Sequence, residues 1–421
     1  MKHLLKKMGL LVCWLGIISP GSGQTLTIDH AYEQAKQHYP LSRQRELIKK
    51  ARDYSIENIS KGYLPQFSVN GQATYQSDVT QVPIKIPGME LPVISKDQYR
   101  IYGEVTQSLY NGGILKDQAR SQELNAVVEE QKLEADLYKL KESVNQLFFG
   151  ILLIDEQIKQ TSFAKSDIQS GINKAQAAVD NGTALKSSVA VLKAELLKTD
   201  QKTIELKAAR KAYMDMLGLF LNQQIDDNTV LTKPNTPTLV ADVKRPELLV
   251  FTAQRNVLDL QDKMLSSRNL PKVNLFLQGG YGRPALNMLS NKFEAYYIGG
   301  VRLNWSLAGL YTIKKDKALV DINRRSIELQ KETFLLNTNI AMKQQDGEIN
   351  KYKQLLQTDN DIIPLREEIK NTALAQLQNG VINSNDYLRE VNAEDLAKQN
   401  KILHEIQLLV AQYNQKTTSG N

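Results

Sequence analysis

Cysteine is nearly absent: the 421 residues contain one, Cys13, inside an amino-terminal segment read below as a removable leader. A mature chain without thiols has no disulfide framework and no thiolate metal site. Histidine is almost as scarce. His3, His30, His38 and His404 stand isolated, without metal-ligand spacing. No apolar run approaches the roughly 20 residues a membrane-spanning helix needs. No glycine-rich phosphate cradle occurs, and no pair of carboxylates is singled out for acid–base work. The 53 lysines and arginines against 46 acids give +7, spread along the chain without the basic block that marks a nucleic-acid partner. The expectation is a protein that is not an enzyme, with no catalytic residue, cofactor or resident metal.

What is present begins with the leader. Lys2, Lys6 and Lys7 precede the apolar run Met8 to Ile18, which ends in Ser19-Pro-Gly-Ser-Gly23. These are the parts of a secretory signal peptide over 1–23, with cleavage near Gly23–Gln24. An uncleaved anchor is the alternative, and Leu10-Leu-Val-Cys13 faintly resembles a lipoprotein signal, with Val12 where a small residue belongs. Cleavage leaves the mature chain at +4.

The chain then says the same thing twice. Ala178-Val-Asp-Asn-Gly-Thr183 has an echo in Leu377-Gln-Asn-Gly-Val381. Asn-Gly marks a tight reversal, because glycine reaches positive φ freely and asparagine tolerates it. Upstream, Leu64-Pro-Gln-Phe matches Leu270-Pro-Lys-Val, and Tyr99-Arg-Ile-Tyr-Gly matches Tyr296-Tyr-Ile-Gly-Gly. The order helix, strand, loop, strand, long helix, Asn-Gly turn, helix defines repeat 1 over 24–230 and repeat 2 over 244–413. The segment 231–243, with Pro234 and Pro237, reads as their linker, and the polar end 414–421 as a flexible tail.

Four segments alternate with period two: 66–77, 99–109, 272–282 and 296–307. Phe67, Val69, Ala73 and Tyr75 oppose Ser68, Asn70, Gln72 and Thr74, and the other three behave alike. Tyr102, Phe276 and Ile298 spoil the polar faces. An ordinary soluble sheet would read similarly. The lengths, though, suit tilted membrane strands, and Tyr75, Tyr99, Tyr281, Tyr297 and Trp305 lie near run ends, where an aromatic girdle sits. A proline-rich loop around Pro83, Pro87 and Pro92 joins the first pair.

The remainder reads as helix. One is expected from Leu26 to about Ile59, and one from Pro246 towards Met264. Asn111, Gly112 and Gly113, and later Gly309, mark the strand-to-helix transitions. The helix from Leu115 to about Ala178 carries a three–four seam of Leu137, Leu140, Val144, Leu147, Ile151 and Ile154, and could extend roughly 90 Å. Its return begins near Ser187 or Ser188. The second long helix, Lys314 to about Gln378, should kink or break at Pro364.

Four membrane-length strands cannot close a barrel, and open edges are not left in lipid. Several copies are therefore needed: two give eight strands, three give twelve. The chain resembles the TolC-like outer-membrane efflux protein family, on the paired Leu-Pro strand starts, the Asn111-Gly-Gly113 exit and the two Asn-Gly turns. The resemblance implies an α+β membrane protein: a homotrimer with one twelve-stranded transmembrane β-barrel, continuous with a coiled-coil α-helical periplasmic tunnel. It implies outer-membrane lipid around the barrel, a periplasmic adaptor, and an inner-membrane pump of the resistance-nodulation-division type. The implied role is the exit duct of a tripartite pump for small molecules. A type I protein secretion duct, or a secreted coiled-coil adhesion protein, are the alternatives. Adaptor docking falls on Asn181, Gly182, Thr183, Asn379, Gly380 and Val381. The gate falls on Ser187, Ser188, Ile382, Asp386 and Arg389. Asp386 matches a pore-side aspartate of the family, whereas Arg389 stands three residues on, where a second acid is usual.

Overall fold

The computed structural model describes residues 25–80, 94–226 and 228–421. The expected leader with Cys13 and His3, and the loop with Pro83, Pro87 and Pro92, lie outside the described residues. In chain order the elements are β1 Thr25–Leu26, α1 Ile28–His38, α2 Gln44–Ser60, β2 Gln66–Tyr75, β3 Asp97–Tyr110, α3 Ile114–Tyr138, α4 Leu140–Asp180 and α5 Lys186–Leu221. There follow β4 Val230–Leu231, α6 Glu247–Ser267, β5 Lys272–Arg283, β6 Glu294–Asn304, α7 Gly309–Gln378 and α8 Ser384–Ser419.

The elements divide into two units. One is made of the described residues within Met1–His38, Ser143–Thr236 and Lys351–Val410. It is helical, apart from a short parallel pairing of β1 with β4, Leu26 against Leu231, which occupies the start of the expected linker. Its core is built from α4 residues such as Val144, Phe148, Ile151 and Ile168, with Leu192, Met214 and Leu217 of α5, all fully buried. The two glycines inside α4 have a shared purpose. A Cβ at Gly150 would lie 2.5 Å from Cε1 of Tyr213, and one at Gly171 would lie 2.6 Å from Cε1 of Tyr387. Each glycine is the seat of a tyrosine ring from a neighbouring helix.

The other unit is Tyr39–Glu142, Pro237–Asn350 and Ala411–Asn421. It holds a four-stranded antiparallel sheet in the order β2-β3-β5-β6, so β2 and β6 are open edges. The register places Phe67, Val105, Leu277 and Gly299 in one row and Val69, Gly103, Gly279 and Tyr297 in the next, on a single face. Among the described residues no helix covers that face. Phe67, Val69, Ile101, Leu277, Tyr297, Val301 and Leu303 are each more than half exposed. At the sheet's loop end Phe293 stacks between Tyr99 and Tyr281, at centroid separations of 6.3 and 5.8 Å, which extends the aromatic set at the strand ends.

Both strand exits into helix are made by glycine. Gly112 and Gly113 have φ of +69° and +79°, and Asn111 Oδ1 accepts the Gly113 N–H at 2.9 Å, a side-chain-closed turn. A Cβ at Gly309 would collide with Asn269, whose carbonyl accepts the Trp305 indole N–H at 3.0 Å. Below the sheet α3 packs on α2 and α6. The nearly buried Asp117 of α3 accepts from Lys263 Nζ at 2.8 Å and Ser267 Oγ at 3.1 Å on α6.

Four expectations need correction. The first helix is interrupted, because Pro40 opens a 3-10 turn, Pro40–Arg43, between α1 and α2. The long first-repeat helix is two, α3 and α4, parted at Lys139. By contrast α7 runs without interruption through Pro364. Pro364 and Asn360, whose carbonyl loses its helical donor, are both exposed, so a proline here does not strand a polar group in a core. The end 414–421 is no loose tail, since α8 continues to Ser419 with Gln415, Thr417 and Ser419 buried. Tyr138 Oη donates to the Thr417 carbonyl at 3.0 Å, Gln345 Nε2 to Thr418 Oγ1 at 2.9 Å and Gln415 Nε2 to Asp346 Oδ1 at 2.5 Å.

Candidate functional site

The residues assigned to docking and gating lie in the helical unit. At the first reversal the Gly182 N–H bonds the Val179 carbonyl and the Thr183 N–H reaches back to Ala178, with Gly182 at φ +71°. At the second, Gly380 bonds Leu377 and Val381 bonds Gln376, with Gly380 at +72°. Both are Schellman motifs, in which a left-handed glycine lets two N–H groups satisfy the last helical carbonyls. Asn379 Nδ2 also donates to Ala375 O at 2.9 Å, and Thr183 Oγ1 to Ala178 O at 2.9 Å. Asn181, Gly182, Thr183, Asn379, Gly380 and Val381 are all exposed, so each turn presents backbone and small polar groups on a rigid helical base.

The return helices start differently. Asn383 Oδ1 accepts the N–H groups of Asn385 and Asp386, at 2.9 and 3.1 Å, a side-chain cap that opens α8. Leu185 precedes α5 without such a bond, and Ser187 and Ser188 occupy its first turn. Beneath the turns lies one apolar cluster: Ile168, Ile172 and Ala175 of α4, Val189 and Leu192 of α5, Ala373 and Leu377 of α7, and Tyr387, Leu388 and Val391 of α8. Ile382 packs against it.

Ile382, Asp386 and Arg389 line one open groove of about 590 Å³ between α7 and α8, with Leu365, Ile369 and Glu390. Ser187 and Ser188 are not among its lining residues. Arg389 does not pair with Asp386 within the chain. Its Nε donates to Glu390 Oε1 at 3.1 Å, and Arg366 approaches the same carboxylate at 3.6 Å.

The strongest polar assembly in this unit was not legible in the sequence. Lys370 of α7 places Nζ 2.8 Å from Asp167 Oδ2 on α4 and 2.9 Å from Glu394 Oε2 on α8. The other Glu394 oxygen receives Lys398 at 2.6 Å, and Lys398 also reaches Glu367 of α7 at 2.8 Å. The Glu394 side chain is 3 % exposed, so both its oxygens are charge-paired away from water. Tyr387, seated on Gly171, donates to the Asp167 carbonyl at 3.1 Å. Burial alone would lower the Lys370 pKa, but Asp167 and Glu394 outweigh it and hold the ammonium above the ordinary lysine value. Burial raises the Tyr387 phenol and, nearby, the Asp395 carboxyl, which Gln160 Nε2 contacts at 3.0 Å. The one sequence cue to this clamp is Gly171, which with Gly150 is one of two glycines in an otherwise strong helix.

Among the described residues no group of three or more acids, histidines or cysteines could hold a metal ion, and no helix is long and apolar enough to cross a membrane. What the described residues do hold is paired helices, a charged clamp and, in the other unit, a sheet with an exposed apolar face.

No protein-family model and no curated protein matches the chain in sequence. Solved structures do match in fold. CusC, described for its transmembrane channel formation, superposes with a TM-score of 0.67 at 12% identity, over 93% of this chain and 91% of that one. VceC, an outer membrane protein of Vibrio cholerae, gives 0.65 at 12% identity, over 94% and 96%. The CmeC outer membrane channel of Campylobacter jejuni gives 0.61 at 12% identity, over 93% and 85%.

Proposed function

From a chain with the fold of the TolC-like outer-membrane channels, we propose that this protein is the outer-membrane exit duct of a tripartite efflux pump in a Gram-negative bacterium. The observation that carries this reading is the uncovered apolar face of the sheet between two open edges. An aqueous monomer does not present such a face, and the membrane tolerates strands only in a closed barrel. Pairing β6 of one copy with β2 of the next closes the edges, and three copies make twelve strands. The aromatic residues at the strand ends then meet the lipid interface.

The two Asn-Gly turns form the periplasmic tip, where Asn181, Gly182, Thr183, Asn379, Gly380 and Val381 meet a periplasmic adaptor. The adaptor connects the duct to an inner-membrane pump of the resistance-nodulation-division type. The pump supplies the energy and the duct conducts small molecules passively. The gate lies at Ile382, Asp386 and Arg389, with Ser187 and Ser188 opposite. Fractionation of cells tests the membrane assignment. The protein should resist high-salt and alkaline washing of the outer membrane and leave it only with detergent. Release by either wash would instead favour a soluble coiled-coil protein.

A further inference from the structure

The three residues that break the polar alternation of the strands, Tyr102, Phe276 and Ile298, occupy successive rows on one face. The rows run Tyr102–Gly280–Tyr296, then Glu104–Gln278–Ile298, then Thr106–Phe276–Gly300, then Ser108–Asn274–Arg302. Glycine makes room for each ring. A Cβ at Gly280 would lie 2.6 Å from Tyr102 Cβ and 2.9 Å from Tyr296 Cζ, and one at Gly300 would lie 3.3 Å from Phe276 Cε1. The rings are thus laid along the sheet rather than standing off it.

Onto Phe276 comes the guanidinium of Arg302, 4.3 Å from the ring centroid, within the range of a cation–π contact. Arg302 Nη1 also donates to Glu104 Oε1 at 2.9 Å. Glu104 receives Thr106 Oγ1 at 3.0 Å, and Gln278 Nε2 on its other oxygen. The two charges of this pair are unequally presented. Glu104 is saturated with donors and 13% exposed, whereas Arg302 is 45% exposed. Within the strands this face carries Arg100, Lys272 and Arg302 against Glu104 and Glu294, and Glu294 accepts from Ser290 Oγ at 3.0 Å.

We propose that Arg302, stacked on Phe276 and braced by Glu104, is a luminal contact station that favours anions and holds planar aromatic anions in transit. The proposal rests on the channel reading above, in which this face lines the barrel. Three copies turn one half-exposed guanidinium into a ring of three around the passage, and rings of charged side chains set ion preference in pores. The planar guanidinium offers its open face for stacking and its free N–H groups to a carboxylate or sulfonate, which an ammonium could not match. Phe276 fixes the plane in which it does so.

Single-channel recording of the purified oligomer in planar bilayers, under a potassium chloride gradient, tests this. The wild type should pass chloride in preference to potassium. Arg302→Gln should lower that ratio by roughly twofold or more, less at high salt, because the preference is electrostatic. Glu104→Gln, which removes the acid and keeps a hydrogen-bonding side chain, should raise it. Naphthalenesulfonate should cause transient blockages in the wild type. Arg302→Lys should keep the ion preference but shorten the blockages, separating charge from planar stacking. Pores whose ion preference ignores both Arg302→Gln and Glu104→Gln would overturn the station and leave the channel reading standing. Wild-type pores that naphthalenesulfonate never blocks would overturn the ligand class. A detergent-stable protein that forms no pore would overturn the channel reading, and the station with it.

Discussion

Leu277→Lys should remove the protein from the outer membrane. Leu277 sits near the middle of β5, between Val105 and Gly299 on the uncovered face, and is 55% exposed. If that face meets hydrocarbon, a lysine at the bilayer midplane costs about 2–4 kcal/mol per copy. A three-fold assembly incurs that cost three times, comparable to the whole stability of an ordinary domain. Asn70→Lys is the matched control, because Asn70 lies on the opposite face of β2, across from Tyr102. A charge added there should be tolerated. The measurement is the amount of each variant recovered in outer-membrane fractions. Equal recovery of L277K and wild type would mean that the face does not meet lipid.

The second large effect belongs to the charged clamp. Lys370→Met should destabilise the helical unit by about 3 kcal/mol, because it strips one cation from a carboxylate that has almost no access to water. Glu394 would keep Lys398 but leave its second oxygen unpaired. Asp167, at 36% side-chain exposure, can turn to solvent and contributes less. The double variant Lys370→Met/Glu394→Met should recover much of the loss, since buried ion pairs are often replaceable by apolar groups of similar volume. Thermal unfolding of the detergent-solubilised protein, followed by helical circular dichroism, reads both. The sign with pH follows from the raised Lys370 pKa. The Lys370 contribution is complete below the ordinary lysine value of 10.5 and fades as pH rises through the higher folded value, so raising the pH from neutral is what removes it.

These two sites differ in how far the sequence exposes them. The apolar face was readable because alternation is local: Phe67, Val69 and Tyr75 point one way whatever they pair with. The observed strands differ from the expected bounds by a few residues at most, β6 starting at Glu294 and ending at Asn304. The Asn-Gly turns were readable for the same reason, as glycine was needed for backbone geometry there. The clamp was not. Asp167, Lys370 and Glu394 are ordinary helix residues in a chain full of them, and only packing of α4, α7 and α8 selects these three.

Long-range pairing also accounts for the misread end of the chain. Gln415, Thr417 and Ser419 look solvated in isolation, and become buried because Tyr138, Gln345 and Asp346 lie against them. Pro40 is a different kind of miss. Its effect on Tyr39 is local and legible, and a helix drawn through it ignored the restriction a proline places on the residue before it. Phe276 and Ile298 looked like flaws in a pattern. In the register of β3, β5 and β6 they sit among Tyr102, Tyr296 and Arg302, a neighbourhood that no single strand reveals.

The central claim is that four strands per chain are completed by other copies. The mass of the protein extracted in mild detergent, measured by light scattering with the detergent contribution subtracted, addresses it directly. The account predicts a stable assembly of three chains whose strand content survives extraction. A monomer that remains folded in mild detergent, with its sheet intact, would contradict it.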